Sequence, residues 1–218
     1  MDATAAGSPA ATPPAQRQGL RERSKAKRYT LIQHTAMRLF AERGYDNTTI
    51  ADIAEAAEVA PRTVSGYFPT KLDIATSFAD SLAARLTATF TAEPQGDLMA
   101  VLDSWLTRER ELADPELFAL ADAMYQANPE LKAISGAHVA EAAELARTAI
   151  AEHVGLPEDH PMLAVGKAAF GAALTAYVSA LPHHLGPDED FHRSVMLFLG
   201  AVLDAARHAA DSAEPAAP

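Results

Sequence analysis

The sequence predicts an all-α fold, a small three-helix head followed by a larger helical body. Three observations lead there. Apolar residues make up 49% of the 218 positions, and alanine, the strongest helix former, dominates them. Alternating runs rich in Val, Ile and Thr, the mark of strands, are almost absent. Apolar residues instead recur at three- and four-residue spacing between Pro, Gly and Asx punctuation.

Residues 1–16 are rich in Ala, Pro, Ser and Thr and lack periodicity, so they are expected to be disordered. A basic cluster follows: Arg17, Arg21, Arg23, Lys25, Lys27 and Arg28. It reads either as a solvated arm or as an arm laid on a phosphate backbone. The first helix is predicted over Ser24–Arg43, with Ile32, Ala36, Leu39 and Phe40 on one face and Gly44 ending it. Thr49 and Asp52 have the spacing of a capping box for a second helix carrying Ile50, Ile53, Ala54 and Ala57. After a turn at Glu58–Ala60, Pro61 suits the first turn of a short third helix ending near Tyr67. Thr70 and Asp73 repeat the capping pattern and open a fourth helix to about Thr91. Further helices are predicted at 96–111, 115–127, 129–154, 160–181 and 188–209. Asp114-Pro115 and Asn128-Pro129 mark two starts, and Gly155 to Pro157 and Leu181 to Pro187 mark breaks. The chain thus divides into an N-terminal arm (1–20), a head (21–72), a helical body (73–211) and a loose tail (212–218).

Composition narrows the function. With no cysteine, a disulfide scaffold, a thiolate zinc site and a cysteine nucleophile are excluded. The N-terminus has no apolar h-region. The apolar stretch Met162–Leu181, interrupted by Lys167, reads as a buried helix rather than a membrane span. The net charge of −11 is unevenly placed: Arg17–Lys71 holds ten Lys/Arg against six Asp/Glu, leaving eight basic and 23 acidic residues elsewhere. A basic head on an acidic body suggests two working regions, with phosphate contact in the head.

Two short helices, a tight turn and a basic approach make a helix-turn-helix, whose second helix enters the DNA major groove. Arg62 is the side chain suited to paired hydrogen bonds with guanine. Thr63 and Ser65 can reach bases or phosphates, and Lys27, Arg28, Tyr67 and Lys71 are candidate phosphate contacts.

The run IQHTAMRLFAERGYDNTTIADIAEAAEVAPRTVSGYFPTKLDIA, Ile32–Ala75, resembles the DNA-binding domain of TetR-family repressors. The residues that carry the likeness are Ala36-Leu39-Phe40, Gly44-Tyr45, Thr48-Thr49, Ile53-Ala54, Val59 with Thr63, and Tyr67-Phe68 with Lys71. By position, the resemblance implies that Thr49 caps the second helix and meets a phosphate. It implies that Arg62, Thr63 and Val64 face the groove, that Tyr67 and Lys71 clamp the backbone, and that Ile53, Val59 and Phe68 are core. Three residues depart from the pattern: Glu58 replaces the usual turn glycine, Ala60 a common serine cap, and Ser65 a common tyrosine.

For the acidic body the resemblance implies a helical domain that binds a small molecule and dimerises through its last two long helices. Phe170, Leu174 and Leu181 with Val195, Leu199 and Val202 are the candidate dimer residues; filling the monomer core is the alternative. Phe90, Trp105, Leu106, Phe118, Met124, Tyr125, His138 and Tyr177 are candidates to line a cavity for an apolar or aromatic effector, each also readable as core. The segment Trp105 to Pro115, with Arg108-Glu109-Arg110-Glu111, faintly resembles family members thought to sense acyl-CoA thioesters; a salt-bridged solvent face is the plainer reading. His183, His184 and His192 lie near Asp188–Asp190, but their spacing matches no standard zinc pattern. No metal, cofactor or catalytic set is expected. The expectation is a cytoplasmic homodimeric repressor of a palindromic operator, released by its effector. The rival readings are an all-helical enzyme and a sequence-independent DNA-binding protein.

Overall fold

The computed structural model describes residues 14–92, 97–181 and 189–213. Among these run nine α-helices: α1 (Pro14–Arg43), α2 (Ile50–Ala56), α3 (Pro61–Tyr67), α4 (Lys71–Ala92), α5 (Leu98–Leu112), α6 (Pro115–Ala127), α7 (Pro129–Val154), α8 (Pro161–Ala180) and α9 (Glu189–Ala213). No strand occurs among the described residues.

Most boundaries follow from local polar chemistry. Thr49 and Asp52 close a reciprocal capping box on α2, and Thr70 and Asp73 do the same for α4. Asp97 and Asp114 cap α5 and α6 through their carboxylates, each satisfying amides that a helix start leaves unpaired. Gly155 ends α7 at φ 73°, a left-handed conformation that a side chain would resist. The structure departs from expectation at α1, which begins ten residues before Ser24. Gln, Arg, Lys, Ala and Glu are all good helix formers, and Pro14 is tolerated in a first turn. The basic cluster is therefore displayed on a helix. Residues 1–13 of the expected arm and 214–218 of the expected tail lie outside the described residues.

Two apolar cores organise the chain. The first gathers Ile32, Phe40, Ile53, Val64, Phe68 and Ile74 from α1–α4, and with them Ala121, Met124 and Leu131 from α6 and α7. The second joins α4, α5, α7, α8 and α9 around Leu102, Trp105, Leu106, Phe170, Tyr177 and Leu203. Two helices pass through both: α4 and α7, which pack along each other, while α1 packs along α6 within the first.

Candidate functional site

The head is held by short-range polar bonds around a dry core. Thr49 Oγ1 accepts the Asp52 amide at 3.1 Å, and Asp52 Oδ2 accepts the Thr49 amide at 2.8 Å. The Thr49 hydroxyl first, and its amide second, hold the Asp52 carboxyl below its ordinary range. The turn to α3 is closed by the Val59 amide donating to Ala54 O at 2.9 Å. Glu58 crosses that turn at φ 53°. Its position is one where glycine would lie without strain, which explains why the usual residue there is glycine.

On α3, Arg62 and Ser65 are exposed and Thr63 is half-buried, forming an outward face with exposed Thr49 nearby in sequence at the start of α2. Val64 does not belong to that face. It is fully buried with Ile53 and Phe68, because one helical turn must supply the apolar contact that holds α3 on the head. Tyr67 is half-buried against the same core. Lys27 and Arg28 are exposed on α1, as are Arg21, Arg23 and Lys25, and no ion pair among the described residues engages any of them.

Lys71 also needs correction as a phosphate clamp. Its Nζ donates to Tyr45 O at 2.8 Å and Thr48 O at 3.0 Å, and lies 4.0 Å from the Tyr45 ring centre. Two of the three ammonium donors are thus engaged by carbonyls of the α1–α2 connection, which leaves one for a phosphate. Asn128 differs from expectation too. It makes no side-chain cap on α7. Instead its Nδ2 donates to Phe40 O and Met124 O, and its Oδ1 accepts the Tyr45 amide at 2.7 Å. The α6–α7 corner is thereby bonded to the end of α1. Sequence reasoning missed this because the partners are 83 and 88 residues away.

The expected cavity residues divide between two places. Phe90, Trp105, Leu106 and Tyr177 lie in the body core. Met124 and Tyr125 belong to the head core, where α6 packs on α1. Phe118 meets Phe78 edge to face at 4.9 Å. His138 pairs with Asp80 at 2.6 Å, joining α7 to α4. A cavity of about 110 Å³ opens between Gln33, Phe78, Arg85, Glu109 and Phe118; of the expected lining only Phe118 reaches it. In its wall the Arg85 guanidinium grips the buried Glu109 carboxylate through two bonds of 2.6 Å.

A polar chain crosses the far side of the body. The Tyr177 hydroxyl lies 2.7 Å from His192 Nδ1, and His192 Nε2 lies 2.8 Å from Asp103 Oδ1. Phe191 stacks on Tyr177 at 5.5 Å. Burial pushes the Tyr177 phenol above its ordinary pKa, opposed by the Arg110 charge and reinforced by Asp103. His192 is thus occupied, and no cluster of three metal-binding side chains occurs among the described residues. His183, His184 and Asp188 lie outside them.

The dimer candidates need the largest revision. Phe170, Leu181 and Leu199 are at most 1% exposed within one chain, while Leu174, Val195 and Val202 pack partly buried against the same core. Their stripe is the seam between α8 and α9. At that seam a Cβ on Gly166 would meet the Ala206 methyl at 3.0 Å, so the helices approach closely. The outward surface is carried by other residues: Leu197 is 69% exposed, Phe198 56% and Val165 56%. Ala164, Ala168, Ala172, Thr175 and Ala176 continue an exposed, uncharged side of α8. α8 is long and apolar enough to cross a membrane by length and composition, with 22% of its apolar window buried. The expectation of a buried helix therefore holds for one side only.

Comparison with known proteins places these features. Residues 32–77 match the family model described as bacterial regulatory proteins, tetR family. The transcriptional regulator TcmR of Streptomyces glaucescens is 28% identical over 129 residues, which span 58% of this chain and 57% of that relative's length. The fold resembles the crystal structure of NalD, the secondary repressor of the MexAB-OprM multidrug efflux pump in Pseudomonas aeruginosa. That match has 19% identity and a TM-score of 0.54, covering 83% of this chain and 97% of NalD.

Proposed function

We propose that the chain is a DNA-binding regulator of the tetR kind, whose family model matches residues 32–77, and that it is a cytoplasmic, effector-released repressor that binds a palindromic operator as a homodimer. The observation that carries the DNA reading is the split of α3. Val64 anchors the helix inward while Arg62, Thr63 and Ser65 remain on its outer side. Arg62 can donate two bonds to a guanine edge. Thr49 and the row Arg21–Arg28 would meet phosphates and fix the register. The acidic body would keep strands from binding elsewhere on the chain.

A second copy of the chain is the occupant proposed for the outer side of α8 and α9. An uncharged surface of alanines, Val165, Leu197 and Phe198 suits a four-helix interface. Such a dimer would hold two α3 helices about 34 Å apart, one DNA turn. The effector would be small and largely apolar, seated among the body helices. By linkage it must bind the DNA-incompetent state more tightly, and operator DNA must weaken effector binding equally. The signal has two routes to the head: α4, about 33 Å long, and the Asn128 corner.

Selection of bound fragments from random duplex DNA by the intact protein tests this reading. A palindromic site with half-sites one turn apart is expected. Absence of any enriched sequence, with binding that vanishes as salt rises, would overturn it.

A further inference from the structure

The cavity beside the Arg85–Glu109 pair touches both parts of the molecule. Gln33 reaches it from α1, Phe78, Ser81 and Arg85 from α4, Glu109 from α5, and Phe118 from α6. Its wall therefore joins one head helix to three body helices. A molecule held there would touch α1 directly.

One wall group has bonding capacity left over. Gln33 is 4% exposed, and its Nε2 donates to Ser77 Oγ at 2.8 Å. The Ser77 hydroxyl gives its own proton to Ile74 O at 2.7 Å, so towards Gln33 it can only accept. That fixes the amide, with its nitrogen on Ser77 and its carbonyl oxygen free. No group among the described residues donates to that oxygen. A buried carbonyl without a donor is costly, and a guest bearing an O–H or N–H completes it.

The charged groups of the wall are already matched. Both Glu109 oxygens are bonded by Arg85 at 2.6 Å. Asp114, also on the wall, accepts two amides of α6 through Oδ1, and its Oδ2 faces His34 Nε2 at 3.6 Å. A cationic guest would find no free carboxylate, and an anionic one would lie beside the buried charge of Glu109. A neutral donor meets neither penalty. The rest of the wall is apolar: Phe78 stands edge to face with Phe118, and Leu117 lies with them, a surface that suits a ring. Volume sets a further limit. At about 110 Å³ the cavity approaches the roughly 150 Å³ that takes up benzene, and Leu112, 53% exposed, brings it to the surface. It holds one ring rather than a fused system.

We propose that this junction cavity is the effector site and that its ligand is a neutral single-ring molecule carrying a hydrogen-bond donor, of the class of simple phenols. The hydroxyl donates to Gln33 Oε1 and the ring lies against Phe78 and Phe118. This rests on the reading of the chain as an effector-released regulator. It names the chemistry of the effector and places it in contact with α1, the helix that carries the basic row, instead of deep in the body core.

The intact protein is titrated by calorimetry with phenol, fluorobenzene, benzoate and benzylammonium. Each has one ring, and they differ in carrying a neutral donor, no donor, a negative charge and a positive charge. Saturable binding of phenol is expected, with fluorobenzene about fivefold to tenfold weaker and neither ion as tight as phenol. Gln33→Met keeps the bulk of the side chain and removes the acceptor. It should bring phenol down to the fluorobenzene level and leave fluorobenzene unchanged. Ser81→Leu puts a larger side chain into the cavity and should abolish binding of both. No saturable phenol binding overturns the proposal, as does fluorobenzene or either ion binding as tightly as phenol. So does unchanged phenol binding in a Gln33→Met or Ser81→Leu protein that melts like the parent. Phenol that binds as expected while operator affinity stays fixed supports the site and its chemistry and overturns the regulatory reading instead.

Discussion

The head and the body treat their polar groups differently. In the head, Thr48, Thr49, Lys71 and Asn128 each spend their hydrogen-bonding capacity on the backbone or on a capping partner. In the body, Arg110 and Trp105 retain buried donors without acceptors, although Arg85 and Glu109 are bonded to each other twice. The polar groups that shape the ends of α1, α2 and α3 are completed in advance, whereas away from them His34 Nε2 and the Tyr125 hydroxyl beside the head core, like Trp105 Nε1 and Arg110 Nη1 in the body, are buried without a hydrogen-bond partner.

Substitutions can break that contrast, beginning with the largest effect. Arg85→Met would strand the Glu109 carboxylate, which is 4% exposed, and should cost about 3 kcal/mol in denaturant unfolding. A loss below about 1 kcal/mol would mean water reaches the pair. Asn128→Ala removes two bonds that tie the α6–α7 corner to the end of α1 and a third to Met124 O, and should cost about 3 kcal/mol; an unchanged urea midpoint would show that the corner is not tied there. Arg62→Ala should leave the fold intact and reduce operator binding by about 1–3 kcal/mol, concentrated at one base pair. Equal weakening on all sequences would demote Arg62 to a phosphate contact. Glu58→Gly should stabilise by about 0.5–1 kcal/mol, since it relieves the left-handed backbone at φ 53°; destabilisation would show that the carboxylate holds the turn.

The smallest effect is a titration. Asp52 has its pKa lowered in the folded chain, so its contribution is present above the unfolded value of about 3.9 and is lost as pH falls through the lower, folded value. In Thr49→Val the midpoint, followed by NMR, should rise towards the ordinary value. An unmoved midpoint would assign the shift to something other than the cap.

What could be read from the sequence depended on how far apart the cooperating residues lie. The capping boxes at Thr49–Asp52 and Thr70–Asp73 span three residues, and Asp114-Pro115 is contiguous, so α2, α4 and α6 were legible. The same locality made the helix-turn-helix legible, together with its resemblance to the tetR family over residues 32–77. Burial direction was less legible. Val64 sits among polar residues on a seven-residue helix, too short for periodicity to show which side faces in. On α8 and α9 the largest apolar residues, Phe170, Leu181 and Leu199, suit a dimer surface or a monomer core equally in the sequence. They fill the seam between the two helices, and the outer side is carried by alanines, Val165, Leu197 and Phe198. The fate of Lys71 and Asn128 depended on backbone carbonyls and amides, which leave no mark in the side-chain pattern.

The bonds of Asn128 bear on how this kind of regulator can be rebuilt. A reading head that was a detachable module could be exchanged between proteins by cutting the chain after α3. Here the head's apolar centre includes Ala121, Met124 and Leu131, and the end of α1 is sealed by an amide 88 residues downstream. A transplanted stretch ending near residue 72 would leave behind part of its own interior. A working chimera would have to carry the α6–α7 corner with it, as a second splice rather than a single one.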